Sequence, residues 1–362
     1  AESLTNISLK VLGFSAAKKE LPIISQLIHK LTKEFNIENK KLSQNIAGID
    51  FCNPLGLAAG FDKNGVAASI WRNFGFGFSE IGTVTKYNQP GNPKPRLFRL
   101  ANEEAALNRM GFNNYGADKL VKNLINQGIP KGRNRRDISL GINFGKSKIT
   151  ELSEAKEDYI YSLKLLLPYC DYAAINVSSP NTQGLRKLQD PKLLQEILQE
   201  LKLLSNCPPL FVKIAPDLSY DEIDKICELI NEENIEGIIA TNTSLDRLGL
   251  ENRIIKETGL KLSEEMGGLS GLPLCNRSNK IVKHIHKIDP SINLIGVGGI
   301  NSPESAWERI CSGASLIQIY TGWIYKGPQL VPDILKGLLK QIEIHKLSSI
   351  KEAVGSGLTW ID

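Results

Sequence analysis

Residues 294–322, LIGVGGINSPESAWERICSGASLIQIYTG, read as one strand–helix–strand unit. LIGVGGI and LIQIYTG are short, nearly all-apolar runs with glycine or small polar residues toward their ends, the pattern of strands buried on both faces. Between them Ser302 and Pro303 open a helical segment that runs to Cys311, with apolar residues spaced by three and four. Two such strands joined by a helix belong to a parallel sheet covered by helices.

Toward the N-terminus the same unit recurs. Runs at 53–60 (NPLGLAAG), 79–85 (SEIGTVT), 138–145 (ISLGINFG), 172–178 (YAAINVS), 210–216 (LFVKIAP) and 237–243 (GIIATNT) bring the strands to eight. Helical patterns at 151–167, 191–204 and 220–230 alternate with them. Eight alternating units predict an α/β fold, a (β/α)8 TIM barrel. Small or polar residues close nearly every run, and such strand ends in register fit a barrel mouth; a doubly wound sheet would gather them at one switch point. Two intervals between strands, carrying QPGNPKPRLFRL with NRMGFNN and TSLDR with GGLSG, are long enough to hold extra binding loops. The expected division is an N-terminal helical extension at 1–50, the barrel at 51–345 and a tail at 346–362. In the extension Leu21, Ile24, Leu27, Ile28, Leu31 and Phe35 form one apolar helical face, suited either to capping the barrel or to a lipid surface.

Composition narrows the function. Among 362 residues, 44 Lys and Arg against 39 Asp and Glu give +5, too diffuse for a nucleic-acid surface. The densest basic run, Lys131, Arg133, Arg135 and Arg136, reads as a solvated loop. No apolar run reaches the roughly 18 residues of a membrane span. Six scattered cysteines, with no CxxC and no histidine at ligand spacing, encode neither a zinc site nor an iron–sulfur cluster, so no metal is expected.

Candidate chemistry gathers at the strand ends. Alternation in LFVKIAP sends Lys213 into the barrel, as a cation held against a polarised ligand or as half of an internal ion pair. The glycines of GVGG, with Tyr320, Thr321 and Gly322 after the eighth strand, predict a phosphorylated ligand. AINVSSPNT offers Asn176, Ser178, Ser179 and Asn181, and amides recur at Asn108, Asn143 and Asn242. A site rich in amides, with Asp62 as its lone acidic strand-end residue, suits a planar, heteroatom-rich anion. No histidine falls at a strand end, which argues against a histidine base.

GLAAGFDKNG, EIGTVT, QPGNPKPRLFRL, NRMGFNN, GINFGK, INVSSPNT, KIAPDLS, ATNTSLDR, GGLSG, IGVGGI and IQIYTG, in this order, resemble the dihydroorotate dehydrogenase family over nearly the whole barrel. A serine at position 179, where the soluble class is expected to carry cysteine, together with the N-terminal extension, resembles class 2, the quinone-dependent enzymes. The resemblance implies oxidation of (S)-dihydroorotate to orotate in pyrimidine biosynthesis. It implies FMN contacts at Ala59, Gly60, Phe61, Asp62, Lys63, Thr83, Asn143, Asn176, Lys213, Thr241, Gly271, Gly299, Tyr320 and Thr321. Substrate contacts are implied at Lys63, Asn108, Arg109, Met110, Gly111, Phe112, Asn176, Asn181, Asn242 and Thr243. Ser179 resembles the general base, and Lys213 the group that stabilises charge on the reduced flavin. The implied electron acceptor is a membrane quinone, reached by a monomer without an iron–sulfur partner subunit, held peripherally through its N-terminal segment. The cytoplasmic face of a bacterial membrane is the expected location, with the mitochondrial inner membrane as the alternative. Two other readings stay open at this point: a flavin barrel reducing another dihydropyrimidine, and a non-catalytic barrel that binds a phosphorylated ligand.

Overall fold

The structure is a computed structural model that describes residues 2–362. Two helices, α1 (Glu2–Ala17) and α2 (Pro22–Phe35), precede a hairpin of β1 (Gln44–Ile46) and β2 (Ile49–Phe51). The strands that follow are β3 (Leu55–Leu57), β4 (Phe78–Val84), β5 (Leu97–Leu100), β6 (Ala105–Asn108), β7 (Ser139–Phe144), β8 (Tyr172–Asn176), β9 (Leu210–Ile214), β10 (Gly237–Ala240), β11 (Gly268–Gly271), β12 (Asn293–Val297) and β13 (Leu316–Ile319). The helices among and after them are α3 (Ala117–Asn126), α4 (Ala155–Leu166), α5 (Pro191–Lys202), α6 (Tyr220–Glu232), α7 (Cys275–Ile288), α8 (Pro303–Cys311), α9 (Thr321–Lys326) and α10 (Leu330–Ile344).

Eight strands close a parallel barrel in the order β3-β4-β7-β8-β9-β10-β12-β13, the TIM barrel the alternating pattern predicts. Its strands are shorter than the apolar runs, because each run's last residues turn into the mouth; GIIATNT pairs only as far as Ala240. Local signals set the helix starts. Pro303 occupies the first turn of α8 behind a capping box of Ser302 and Ser305, and Asp190 caps α5 by accepting from the N–H groups of Lys192 and Leu193.

The barrel floor is aromatic. Phe78, Tyr172 and Phe211 point inward, with ring centroids 6.3 and 5.4 Å apart in succession, and Phe51 from the hairpin meets Phe78 edge-on at 5.2 Å. Each such ring adds roughly 1.5–3 kcal/mol through burial. Ile46 and Ile49 pack in the same cluster, so the hairpin plugs the barrel, and the division expected at residue 50 falls inside it. The expected tail is packed as well: Ile350 and Ala353 are fully buried, and the Gln341 side chain bonds the backbone of Ile361 in both directions.

Two sequence expectations need correction. The long intervals are not only loops: β5 and β6 from the first join β11 from the second in a three-stranded antiparallel sheet, order β11-β6-β5. The basic run is not wholly solvated. Arg136 carries 3% side-chain exposure and pairs with Asp171, because the carboxylate beneath it also caps the N–H groups of Asn134 and Leu140.

The apolar face of α2 divides. Phe35 is buried against Phe74, with Ile28 and Leu31 partly covered, whereas Leu21 and Leu27 stay exposed. On α1, Ile7, Val11 and Phe14 are exposed as well, at helical spacing. Glu2 pins the start of α1 to the first insert through Arg96 at 2.6 Å. Among the described residues no helix is long and apolar enough to cross a membrane.

Candidate active site

A cavity of about 330 Å³ opens at the C-terminal ends of the barrel strands, between the insert sheet, α9 and α1. Every residue expected to bind cofactor or substrate lines it except Asn143 and Arg109, and Ser179 lines it too.

The cavity floor is a hydrogen-bonded net centred on Glu80, a fully buried carboxylate in the middle of β4. Its Oε1 accepts from Asn143 Nδ2 at 2.8 Å and Lys213 Nζ at 3.3 Å; its Oε2 accepts from Gln318 Nε2 at 2.8 Å and Tyr172 OH at 3.1 Å. Lys213 is therefore both an internal ion-pair partner and a cavity-facing cation, two roles the sequence presents as alternatives. Asn143 lies behind the lining, where its Oδ1 receives Thr83 Oγ1 at 2.5 Å and Asn176 Nδ2 at 3.0 Å. Asn176 Oδ1 in turn accepts from the Ser178 hydroxyl and from Asn242 Nδ2, so the amides hold one another's orientation.

Higher in the cavity, Asn181 Nδ2 donates to Asn108 Oδ1 at 3.3 Å, and Ser179 Oγ accepts from the Asn181 N–H at 3.3 Å. Ser179 is 5% exposed and follows β8 on the loop that carries Asn181. Lys63 Nζ donates to Asn113 Oδ1 at 2.7 Å; desolvation, followed by the charge of Arg96, lowers its pKa to about 8. At the other end the Tyr320 hydroxyl donates to Gly60 O at 3.2 Å, and the hydroxyls of Thr321 and Ser270 are 3.0 Å apart. Gly298 and Gly299 have positive φ angles of 114° and 77°, and a Cβ on Gly299 would sit 2.5 Å from the Cys275 nitrogen, so only glycine fits there.

Three expected contacts are displaced. The Arg109 guanidinium pairs with Glu265 and stacks over Phe98 at 4.9 Å, away from the cavity, since β5 and β6 turn it to the outer side of the insert sheet. Asn143 acts through Thr83, Asn176 and Glu80. The Asp62 carboxylate turns inward to accept from the N–H groups of Val66 and Ala67 and the Trp71 indole, so it closes the turn after β3 and offers the cavity no charge.

Glu80, Gln318 and Arg99 are not among the residues the sequence motifs single out. Glu80 was legible, because the alternation that turns Lys213 inward also turns Glu80 inward two residues after Phe78. Arg99 stacks on Tyr325 at 5.0 Å in an apolar branch of the cavity bounded by Leu9, Leu97 and Ile324. Only the packing of α1, the insert and α9 creates that branch.

The family model described as dihydroorotate dehydrogenase matches residues 41–342. The chain belongs to the dihydroorotate dehydrogenase family. Within the family it is similar to the dihydroorotate dehydrogenase (quinone) of Prochlorococcus marinus (strain MIT 9313), 53% identical over 360 residues, 99% of this chain and 92% of the relative. The dihydroorotate dehydrogenase (quinone) of Nostoc sp. (strain PCC 7120 / SAG 25.82 / UTEX 2576) is 52% identical over 327 residues, 90% of this chain and 86% of the relative. Among solved structures, that of the family's Eimeria tenella member in complex with ferulenol has a TM-score of 0.82 at 35% identity, covering 97% of this chain and 95% of that one. These relatives place the chain in the quinone-linked class of the family.

Proposed function

We infer that this chain oxidises dihydroorotate to orotate in pyrimidine biosynthesis, with FMN as its flavin and a quinone as the final acceptor. The observation that carries the reading is the two-ended cavity. A floor of one cation and several interlocked amides suits a flat, heteroatom-rich ring, and the glycine turn at Gly298 and Gly299 suits a phosphate.

The donor set fits FMN: Lys213, Thr83 and Asn176 would meet the ring, and the turn at Gly299 with Thr321 would hold the phosphate. When bound, the flavin supplies a two-electron acceptor for the hydride leaving C6 of the substrate. Lys213 holds positive charge where negative charge grows during that transfer. Asn108, Asn176, Asn181 and Asn242 orient the substrate ring, and Lys63 faces its carboxylate. Ser179 takes the C5 proton, and the Asn181 N–H on the loop after β8 fixes its oxygen. The apolar lining at Leu9, Leu97 and Ile324 would admit a quinone toward the flavin.

Leu9 of α1 lines the cavity, and the exposed apolar residues of α1 and α2 support peripheral binding to a membrane. We propose the cytoplasmic face of a bacterial membrane, since identity is higher to the Prochlorococcus and Nostoc proteins (53% and 52%) than to the Eimeria tenella structure (35%).

The test is anaerobic. Dihydroorotate should bleach the purified yellow protein, and a short-chain quinone should return the colour. Ser179→Ala should keep its flavin but bleach at least about 100-fold more slowly, the loss expected for a general base. Near-normal bleaching by that variant would remove Ser179 from the chemistry, and a colourless wild-type protein would overturn the whole reading.

A further inference from the structure

Arg309 lies on α8, outside the cavity lining, and is fully buried. Its Nε donates to Asn279 Oδ1, and one terminal nitrogen donates to the carbonyls of Cys275 at 3.2 Å and Gly298 at 2.8 Å. The other terminal nitrogen has no partner among the described residues. Every acceptor is neutral, and the adjacent Glu308 makes no ion pair with it. Burial lowers the guanidinium pKa only to about 10, so it stays charged near neutrality. A buried charge without a counter-ion is unfavourable unless an anion comes from elsewhere.

The geometry says where that anion sits. The Gly298–Gly299 peptide is trans, so its C=O and N–H point in opposite directions. Arg309 holds the carbonyl, which turns the Gly299 N–H away from Arg309. Gly299 lines the cavity, and its N–H has no acceptor among the described residues. The arginine stem is fixed as well, since it fills the space over Gly296, where a Cβ would lie 2.6 Å from Arg309 Cγ.

We propose that Arg309 is a positioning residue for a phosphate monoester: it locks the Gly298 carbonyl outward so that the Gly299 N–H faces the phosphate, and its charge, one peptide away, offsets that of the dianion. The assignment rests on the FMN reading above and adds the residue that selects FMN over the unphosphorylated flavin.

The experiment strips flavin from the purified full chain and measures rebinding of FMN and of riboflavin by fluorescence quenching. Wild type should prefer FMN. Arg309→Met, which keeps the stem, should weaken FMN at least about tenfold and leave riboflavin within about twofold, as expected for loss of a charge-assisted contact. Arg309→Lys should restore FMN affinity to within about threefold of wild type, because the charge returns. Thermal melting of the flavin-free variants monitors folding, and if the Met variant does not fold, Arg309→Gln carries the same comparison. Equal weakening of both flavins, or no weakening of FMN, overturns the role of Arg309. A wild-type protein that binds riboflavin as tightly as FMN overturns the phosphate reading itself, and the assignment with it.

Discussion

At the mouth of the barrel Lys213 meets Glu80 at 3.3 Å; at the opposite end Arg136 meets Asp171, with Nε at 3.0 Å from Oδ2. Both pairs are buried, but their hydrogen bonds are distributed differently. Arg136 also donates to Pro130 O at 2.7 Å, and Asp171 accepts the N–H of Leu140 at 2.7 Å, so that pair is saturated by its own surroundings. Glu80 is shared among four donors, and of the three protons on the Lys213 ammonium one is engaged by a protein acceptor. The remainder face a cavity. A saturated pair at the N-terminal end of a barrel serves stability, and an under-saturated one at the C-terminal end serves a ligand.

The strongest test of this contrast is Lys213→Ala. It removes the cation the cavity presents and should yield protein with less than about a tenth of the wild-type flavin, read as the ratio of visible to ultraviolet absorbance. Full flavin occupancy with unchanged anaerobic reduction would make Lys213–Glu80 a structural pair like its counterpart below.

Arg136→Gln should do the reverse. Leaving Asp171 buried without its cation costs about 3 kcal/mol, which urea unfolding would report as a lower midpoint. The dihydroorotate KM should stay within about twofold of wild type, since the pair lies at the N-terminal face of the barrel, opposite the mouth where the substrate binds. A large KM change with unchanged stability would erase the distinction between the two ends.

The two ends also differ in how far the sequence discloses them. Alternating apolar runs carry the barrel, and alternation within a run carries Lys213; Glu80 follows by the same rule once Phe78 is taken as inward. Arg136 and Asp171 are 35 residues apart, on neighbouring strand starts, and no local pattern separates a buried arginine from its exposed neighbours Arg133 and Arg135. Arg109 misleads for a related reason. Its motif sits beside the substrate amides, but β6 alternates, so Asn108 faces the cavity and the next side chain turns away. The apolar branch under α1 is assembled from three distant segments and has no signature in any one of them.

Lys63 sharpens the comparison further, as a cation at the mouth with no carboxylate within ion-pair distance among the described residues. Its one side-chain partner is the neutral Asn113, and desolvation lowers its pKa from 10.5 to about 8, with Arg96 adding to the effect and Glu2 opposing it. If the substrate carboxylate is the missing partner, orotate binds only the protonated form. Its affinity should be flat below about pH 8 and fall roughly tenfold per unit above it. Stability of the ligand-free chain should run the other way. Between about pH 8 and 10.5 the unfolded chain keeps a proton on this lysine that the folded chain has released, so the Lys63 contribution grows with pH across that window. Lys63→Met should flatten both slopes. Orotate affinity is read from the perturbation of the flavin spectrum, and stability from urea midpoints at the same pH values. An orotate affinity that holds constant to pH about 9.5 in the wild type would mean that the carboxylate is bound by the amides, and that Lys63 is a mouth cation without a ligand.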